Sequence, residues 1–222
     1  MTTSALPRPR RDSGMEGMVA KWYAANTAEM MNQYIELAQR ISGELAAGSS
    51  VLEVAPGPGY FSIELARRGN YSITGVDLSH TFVEMATRRA AEAGVKARFM
   101  QGSASNLPLP ADTFDFLLCR AAFKNFGQPI VALREMCRVL KPGGRALIID
   151  LRGNASPNAI SHEVDAMRLT TVNRFLTKLA FRHFLLRRAY TKPQFEQMLL
   201  QTAFSRTQVE ESGLGLEISL TK

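Results

Sequence analysis

Hydrophobic positions along this chain change repeatedly between short continuous runs and a helical spacing. The runs at 50–55, 71–76, 95–100, 114–119 and 145–151 are rich in apolar and β-branched residues, which predicts strands. Between the runs, apolar residues recur every three or four positions, which predicts helices. Apolar strands that alternate with helices form parallel sheets covered on both faces, so the pattern predicts an α/β fold.

The predicted helices are also marked by residues typical of helix ends. We expect the polar run at 26–29 to open a long first helix. A short helix at 60–68 follows the first strand, Ser79 is placed to cap the next helix, and Pro129 stands in the first turn of another. Lys-Pro-Gly-Gly at 141–144 is expected to end that helix before the fifth strand.

The last third of the chain predicts a lid and a closing pair of strands. Residues 156–190 are expected to form a basic helical insertion, and Thr191 is placed to cap a further helix. Two strands at 205–211 and 214–220 follow. Together these elements predict a doubly wound, mostly parallel seven-stranded sheet with an antiparallel C-terminal strand.

The composition favours a single folded domain. The 222 residues are 45% hydrophobic, which supplies apolar surface for a sizeable core and argues against disorder. We expect one domain over 15–222 behind a flexible tail at 1–14. No apolar run approaches the roughly 20 residues of a membrane span, and no signal peptide is indicated. Two cysteines, Cys119 and Cys137, are predicted to be buried thiols, which fits a cytoplasmic location.

The formal charge of +7 is concentrated in one segment. Residues 166–192 contain seven arginine and lysine residues and no aspartate or glutamate, so the remainder is close to neutral. Three interpretations are open: a solvated helix face, a lid that attracts an anionic or amphipathic substrate, and a peripheral membrane contact. None of the three makes the whole surface a general nucleic-acid-binding surface.

A glycine-rich turn follows the first strand directly. Residues 53–59 read EVAPGPG, and Asp77 ends the second strand. In an open parallel sheet, ligands bind at the carboxyl ends of the strands, and glycines let the backbone approach them. A dinucleotide site requires G-x-G-x-x-G, but counting from Gly57 the last glycine is replaced by Ser62. S-adenosylmethionine requires an acceptor for its ammonium group, amide donors for its carboxylate and an acid for its ribose, which Glu53, the amides near Gly57 and Asp77 can supply.

Five motifs of the chain occur in the order of a known family. They are VLEVAPGPG at 51–59, ITGVDLS at 73–79, GSASNLPLPADTFDFLLC at 102–119, LREMCRVLKPGGRALIID at 133–150 and YTKPQFEQMLLQTAF at 190–204. Together they resemble the class I S-adenosylmethionine-dependent methyltransferases, of the broad type that methylates small molecules. The resemblance implies a Rossmann-like fold over about residues 15–222, and it is specific for the cofactor and unspecific for the substrate.

The resemblance implies a cofactor site at the ends of the first four strands. Glu53 would face the methionine ammonium group, and Asp77 would bind both ribose hydroxyls, with Leu78 under the adenine. Arg120 would reach toward the methionine carboxylate or the substrate. Tyr23, beside Trp22, would cover the reactive sulfonium, since a cation over an aromatic face is favourable. The other residues form the wall beside the methionine part and the adenine edge: Ala55, Pro56, Gly57 and Gly59, and Ser103 and Ala104, respectively.

The adenine position departs from the family pattern. Members of the family often have Gly-Asp-Ala there, whereas this chain has Gly102-Ser103-Ala104. A serine hydroxyl contacts the adenine amino group more weakly than a carboxylate does, so we expect the backbone amide of Ala104 to contribute more.

Several of these residues also have a purely structural interpretation. Asp77 would then only cap the following helix, Arg120 would be a salt-bridge partner, and Tyr23 would pack in the core. Lys124 and Asn125 would either line the substrate pocket or belong to a surface loop.

The implied reaction is methyl transfer by in-line displacement from an activated donor. The protein then mainly positions a small-molecule acceptor and excludes water, and a base is needed only for some acceptors. Tyr23 and His162 are the catalytic candidates. No metal site is expected, because the histidines are scattered and no metal-ligand spacing occurs.

Three alternatives stand beside small-molecule methyl transfer. The chain could bind S-adenosylmethionine without transferring its methyl group, or it could be a NAD-dependent oxidoreductase. A nucleic-acid methyltransferase is disfavoured, because no Asn-Pro-Pro-Tyr-like tetrapeptide follows the fourth strand and Leu118, not proline, precedes Cys119. The acceptor atom and the oligomeric state are left open.

Overall fold

The structure covers most of the predicted domain. The computed structural model describes residue 12 and residues 14–28, 30–166 and 186–222, although the side chain of His162 is not described. Most of the basic segment 166–192 lies outside these ranges. The lid at 156–190 and the membrane contact therefore stay predictions.

A single seven-stranded sheet organises the chain. Its strands are β1 Ser50–Val54, β2 Ser72–Asp77, β3 Ala97–Gln101, β4 Phe114–Arg120, β5 Leu140–Leu151, β6 Arg206–Ser212 and β7 Gly215–Thr221. They lie in the order β3-β2-β1-β4-β5-β7-β6. The first five strands pair in parallel, and β7 lies antiparallel to both β5 and β6. The predicted doubly wound sheet with an antiparallel C-terminal strand is confirmed.

Helices occupy most of the connections between these strands. They are α1 Gly17–Ala28, α2 Met31–Ser42, α3 Tyr60–Ala66, α4 His80–Glu92, α5 Pro129–Val139, α6 Pro157–Ala166 and α7 Lys192–Leu199, with short 3-10 turns at Phe123–Asn125 and Leu186–Arg188. The predicted caps of α4 and α7 are confirmed. Ser79 accepts a hydrogen bond from the Phe82 amide, and Thr191 forms a capping box with Gln194.

The N-terminal helices differ from the prediction. The polar run at 26–29 was expected to open a helix, but residues 26–28 end α1, which the hydrophobic pattern did not indicate. Thr27 donates its hydroxyl hydrogen bond backward to the Tyr23 carbonyl at 2.9 Å, so it is no N-cap. The prediction of a cap here is wrong, because a short polar side chain can bond the carbonyl one turn earlier as readily as an amide one turn later.

The fifth strand also begins earlier than expected. Residues 141–144, predicted as a stop, are already part of β5, which starts at Leu140. The ladder with β4 shifts register between Phe114 and Phe116, and Gly143 has a φ of +77°. The glycine therefore accommodates an irregularity within the strand and does not separate two elements.

The core lies on both faces of the sheet. Along β4, Phe116 and Leu118 pack with residues of α2 and α3, whereas Leu117 and Cys119 pack with residues of α5 and α7. Both cysteines are free and buried, as predicted. Within the described ranges no helix is long and apolar enough to cross a membrane.

Candidate functional site

The order of the sheet reverses between β1 and β4. Strands β2 and β3 lie on one side of β1, and β5 lies on the other side of β4. In open α/β sheets, ligands bind in the crevice outside the carboxyl ends of the strands at such a switch point. The candidate site is therefore the edge where β1, β2, β3 and β4 end.

Two alanines mark this edge by their backbone conformation. Ala55 follows β1 and Ala121 follows β4, and both have a φ of +57°. This left-handed conformation costs a side-chain-bearing residue about 1–2 kcal/mol. It is held in place by ladder bonds, because the Ala55 amide donates to the Val76 carbonyl at 2.8 Å and the Ala121 amide to the Ile149 carbonyl at 2.7 Å. Strain retained at both switch-point strands is typical of a functional site.

The loop after β1 needs its two glycines for different reasons. Gly57 and Gly59 both have positive φ, +54° and +79°. A Cβ on Gly59 would lie 2.8 Å from the Cβ of Ala86, so Gly59 allows α4 to pack closely. A Cβ on Gly57 would meet no atom within 4 Å. Gly57 is itself buried, so the space beside its Cβ position is a small gap next to the loop.

Asp77 joins this loop to the end of β2. One carboxylate oxygen accepts a hydrogen bond from the Gly57 amide at 2.9 Å, and the other accepts from the Ser79 amide at 2.9 Å. Asp77 is buried, and burial raises the pKa of its carboxyl above the usual value. A carboxylate has about four lone-pair positions, so each oxygen keeps one for a further donor. The interpretation of Asp77 as only a helix cap is thus incomplete, since the side chain of Ser79 already caps α4.

Glu53 is the most deeply buried acid of the site. One of its oxygens accepts from the Ser62 amide at 3.1 Å and from the Ser62 hydroxyl at 2.6 Å. Burial is the largest influence and raises the pKa of Glu53 to about 7, although the Ser62 bonds and the charge of Arg120 oppose it. No cation lies within ion-pair distance of Glu53 among the described residues. A buried carboxylate of this kind favours a cationic ligand.

Arg120 ends β4 on the opposite side of the crevice. It donates to the Gln33 side chain at 2.7 Å, and its guanidinium lies 4.3 Å above the ring of Tyr34. Within the described ranges it has no acidic partner at ion-pair distance, so the salt-bridge interpretation is not supported. Its charge remains available to an anionic group, because neither an amide oxygen nor an aromatic ring neutralises it.

Tyr23 lies on α1 and faces the same crevice. Its ring packs edge-on against Phe82 with 5.9 Å between centroids, so the packing interpretation holds for the ring. Its hydroxyl has no hydrogen-bond partner among the described residues. Burial raises the pKa of Tyr23, and the charges of Arg120, Asp150 and Asp77 also act on it. The hydroxyl therefore stays protonated at neutral pH and is placed among the charged groups of the site.

The predicted adenine edge lies beside Asp77. The Gly102 amide donates to the Asp77 carbonyl at 2.9 Å, which brings the loop after β3 next to the end of β2. Leu78 lies between them, and its carbonyl accepts from the Gln101 side chain at 3.0 Å. Ala104 packs against the main core cluster. The structure thus brings the loop after β3, where the resemblance implies the adenine edge, next to Asp77.

Lys124 and Asp150 form a buried ion pair that the sequence did not indicate. Their side chains are 9% and 4% exposed, and Lys124 Nζ lies 2.7 Å from the carboxylate. The same carboxylate accepts from the Lys124 amide at 2.8 Å and from the Leu151 amide at 2.7 Å. Lys124 is therefore no surface-loop residue. The sequence contains one sign that Asp150 matters. Asp150 follows an apolar run near the end of β5, as Asp77 does in β2.

Other predicted site residues contribute less. His162 lies on α6, and its side chain is outside what the structure describes. Pro56 turns the loop, since its carbonyl accepts from the Gly59 amide at 3.1 Å. The described part of the chain contains no group of His, Cys, Asp and Glu that could hold a metal ion.

Comparison with known proteins decides the family. Residues 51–144 match the family described as "Methyltransferase domain". YdaC of Bacillus subtilis, an uncharacterized methyltransferase, is 31% identical over 132 residues, which are 59% of this chain and 70% of that protein. The chain belongs to the class I S-adenosylmethionine-dependent methyltransferases.

Two further comparisons show which other proteins the chain resembles. The demethylmenaquinone methyltransferase of Deinococcus radiodurans is 38% identical over 107 residues, 48% of this chain and 44% of that protein. The chain spans less than half the length of the first two curated relatives it matches. A solved structure from Methanococcus maripaludis, assigned to the same cofactor class, has a TM-score of 0.76 at 20% identity with 97% of each chain covered, which shows the shared fold.

The cofactor of this methyltransferase family is S-adenosylmethionine, and the site fits it at three points. Asp77 keeps lone pairs for hydroxyl donors, Glu53 is a buried acid without a cation among the described residues, and a Cβ on Gly57 would meet no atom within 4 Å. Three further residues were not predicted to belong to the site. Ser62 orients Glu53, and Gln33 and Tyr34 hold Arg120 in place.

Proposed function

We propose that this methyltransferase transfers a methyl group from S-adenosylmethionine to a small-molecule acceptor. The observation that carries the proposal is the bond between Asp77 and the Gly57 amide at the switch point, with Glu53 buried beside it. This arrangement brings two acids and a glycine turn together, which suits a ligand with hydroxyl and ammonium groups.

Different residues bind different parts of the cofactor. Asp77 binds the ribose hydroxyls, Glu53 the methionine ammonium group, and Arg120 with the Gly57 region the methionine carboxylate. The bound cofactor supplies a methyl group on a positively charged sulfur, already activated for displacement. What the chain must add is position, because two correctly aligned reactants gain a large effective concentration.

Tyr23 orients the reacting groups and does not remove a proton. Its raised pKa keeps the hydroxyl protonated, so it can donate a hydrogen bond to an acceptor oxygen or nitrogen. The ring and the neighbouring Phe82 cover this end of the site and exclude water.

The acceptor is proposed to be amphipathic or anionic. The relative from Deinococcus radiodurans is named a demethylmenaquinone methyltransferase. In this chain, seven basic residues and no acidic ones alternate with apolar residues over 166–192. A segment of that composition attracts an acceptor with an apolar body and a negative or polar head.

The first experiment is calorimetric titration with S-adenosylmethionine, S-adenosylhomocysteine and NAD. We expect micromolar binding of the first two and none of NAD. Asp77→Asn should weaken adenosyl binding at least tenfold, because the hydroxyl donors lose a charged acceptor. Asp115→Asn is the matched control, since Asp115 also accepts a backbone amide, that of Ser50, but at the opposite end of β1.

Turnover separates transfer from binding alone. Production of S-adenosylhomocysteine with amphipathic acceptors such as demethylated quinols would support methyl transfer. Binding of NAD, or unchanged adenosyl affinity in Asp77→Asn, would contradict the cofactor assignment.

A further inference from the structure

The segment before α1 crosses the adenosyl end of the site. We call residue 12 together with residues 14–17 the N-terminal strap. A Cβ on Gly14 would lie 3.2 Å from the Ser79 amide nitrogen and 3.4 Å from the Leu78 carbonyl carbon. The strap therefore passes directly over the turn that follows Asp77. Contacts to the domain begin before residue 15, inside the predicted tail.

One end of the strap is anchored at the adenine edge. Asp12 accepts a hydrogen bond from the Ser103 hydroxyl at 2.8 Å and another from the Gly127 amide at 2.6 Å. Its two oxygens thereby link the loop after β3 to the loop after β4. Asp12 is half-buried there.

The other end of the strap is anchored on α4. Glu16 accepts from the His80 amide at 2.9 Å, the Thr81 amide at 3.1 Å and the Thr81 hydroxyl at 2.6 Å. The bond from the Thr81 hydroxyl is the largest influence that lowers the pKa of Glu16. The strap is therefore held by two carboxylates, one on each side of the Leu78 turn.

The hydrogen bonds at Ser103 show which group can accept from a ligand. The Ser103 hydroxyl donates its one proton to Asp12 and accepts from the Ser105 amide at 3.1 Å. Its remaining lone pair is a weak neutral acceptor. The Asp12 carboxylate carries a full charge and keeps one lone pair on each oxygen, and charge-assisted bonds are about twice as strong as neutral ones.

These contacts place a carboxylate where Gly102-Ser103-Ala104 lacks one. We infer that Asp12 is a cofactor-binding residue whose carboxylate, carried by the N-terminal strap, accepts the hydrogen bond from the exocyclic amino group of adenine. The inference rests on the proposed function, because it takes Ser103 as the adenine edge. The strap thereby selects an amino purine over a 6-oxo purine, which donates no proton from that position.

The test compares two ligands that differ at one purine position. S-adenosylhomocysteine has the amino group, and S-inosylhomocysteine has an oxygen in its place. By calorimetry, Asp12→Asn should lose about tenfold or more in affinity for the first and less than about twofold for the second. The unmodified protein should prefer the amino ligand by a similar factor.

Glu16→Gln is the matched control, which tests whether the strap affects binding only by stabilising the fold. It loosens the other anchor, so any loss should be small and equal for both ligands. A second readout needs no cofactor: hydrogen exchange of the Gly127 amide should be faster in Asp12→Asn than in the unmodified protein, because the asparagine has one acceptor oxygen in place of two.

The outcomes separate the two proposals. Unchanged binding in Asp12→Asn, an equal loss for both ligands, tighter binding from a strap that blocks the site, or unchanged Gly127 exchange would each overturn the role of Asp12 while the proposed function stands. Failure of the unmodified protein to bind S-adenosylhomocysteine would overturn the proposed function and this inference together.

Discussion

The buried carboxylates at the two ends of the crevice differ in their partners. At the end formed by β1 and β2, which we call the cofactor end after the proposed function, Asp77 and Glu53 accept hydrogen bonds from backbone amides and one serine hydroxyl, with no cation at ion-pair distance among the described residues. At the end formed by β4 and β5, the Asp150 carboxylate is neutralised by Lys124. Beside that pair lie Phe123 and other aromatic residues in mutual contact: Phe126, Tyr190 and Phe195.

The difference indicates what each end can receive. Uncompensated acids are costly to bury and gain from a ligand that brings a positive charge or hydroxyl donors. A charge pair that is already complete gains little from a ligand and instead stiffens the wall on which an apolar acceptor can lie. Three substitutions test this contrast, in order of decreasing effect on stability.

Lys124→Met should have the largest effect. It leaves the Asp150 carboxylate buried with only backbone donors, and breaking a buried pair in this way costs about 3–5 kcal/mol of unfolding free energy. Denaturant unfolding measures the loss. Affinity of the folded protein for S-adenosylhomocysteine should fall much less than in Asp77→Asn, because neither Lys124 nor Asp150 bonds to Asp77 or Glu53.

The exposed pair Arg145–Glu44 is the control for this variant. Its side chains are 46% and 43% exposed, so Arg145→Met should cost less than about 1 kcal/mol. Adding Asp150→Asn to Lys124→Met should restore part of the stability by removing the unpaired charge. A Lys124→Met variant as stable as Arg145→Met would show that the pair is not structural.

Glu53→Gln should raise stability while it weakens cofactor binding. The pKa of Glu53 is about 7 in the folded chain against the usual 4.5, so the folded state favours the protonated form. Stability from this group is complete below 4.5 and is lost as the pH rises through 7. At a pH of about 8 the variant, which has no charge to bury, should be more stable by up to about 3 kcal/mol.

The pH dependence distinguishes this effect from a general change in packing. The stability difference between Glu53→Gln and the unmodified protein should shrink as the pH falls from 7 toward 4.5, as followed by denaturant unfolding. Adenosyl affinity at neutral pH should fall at the same time, since the ammonium group loses its carboxylate. A variant less stable than the unmodified protein at high pH would contradict the assigned burial cost.

Gly57→Ala should have the smallest effect on stability and a specific effect on binding. The left-handed backbone costs alanine about 1 kcal/mol, and the new methyl group enters the open space of the site. Gly48→Ala is matched, because Gly48 also has a positive φ, +83°, and open space around its Cβ position, but it precedes β1. Calorimetry should show a tenfold or greater loss of adenosyl affinity only for Gly57→Ala.

The cofactor end was the more predictable of the two. Residues 53–59 and Asp77 lie at the ends of two strands whose apolar patterns are clear in the sequence. Parallel strands bring their carboxyl ends to one edge, so their proximity follows from the fold class alone. The α1 helix escaped prediction because GMVAKWYAANTA has no single apolar stripe, and its burial of Ala20 and Ala24 depends on contact with α4.

What the sequence by itself determined is the fold, the family and the acids near the ends of β1 and β2, because local patterning and short motifs specify them. Only the tertiary structure decided the partners of those groups. The pairing of Lys124 with Asp150 spans 26 positions, and the contact of Asp12 with Ser103 spans 91. No local pattern records such contacts, since they exist only once packing of the whole domain brings distant loops to the same edge of the sheet.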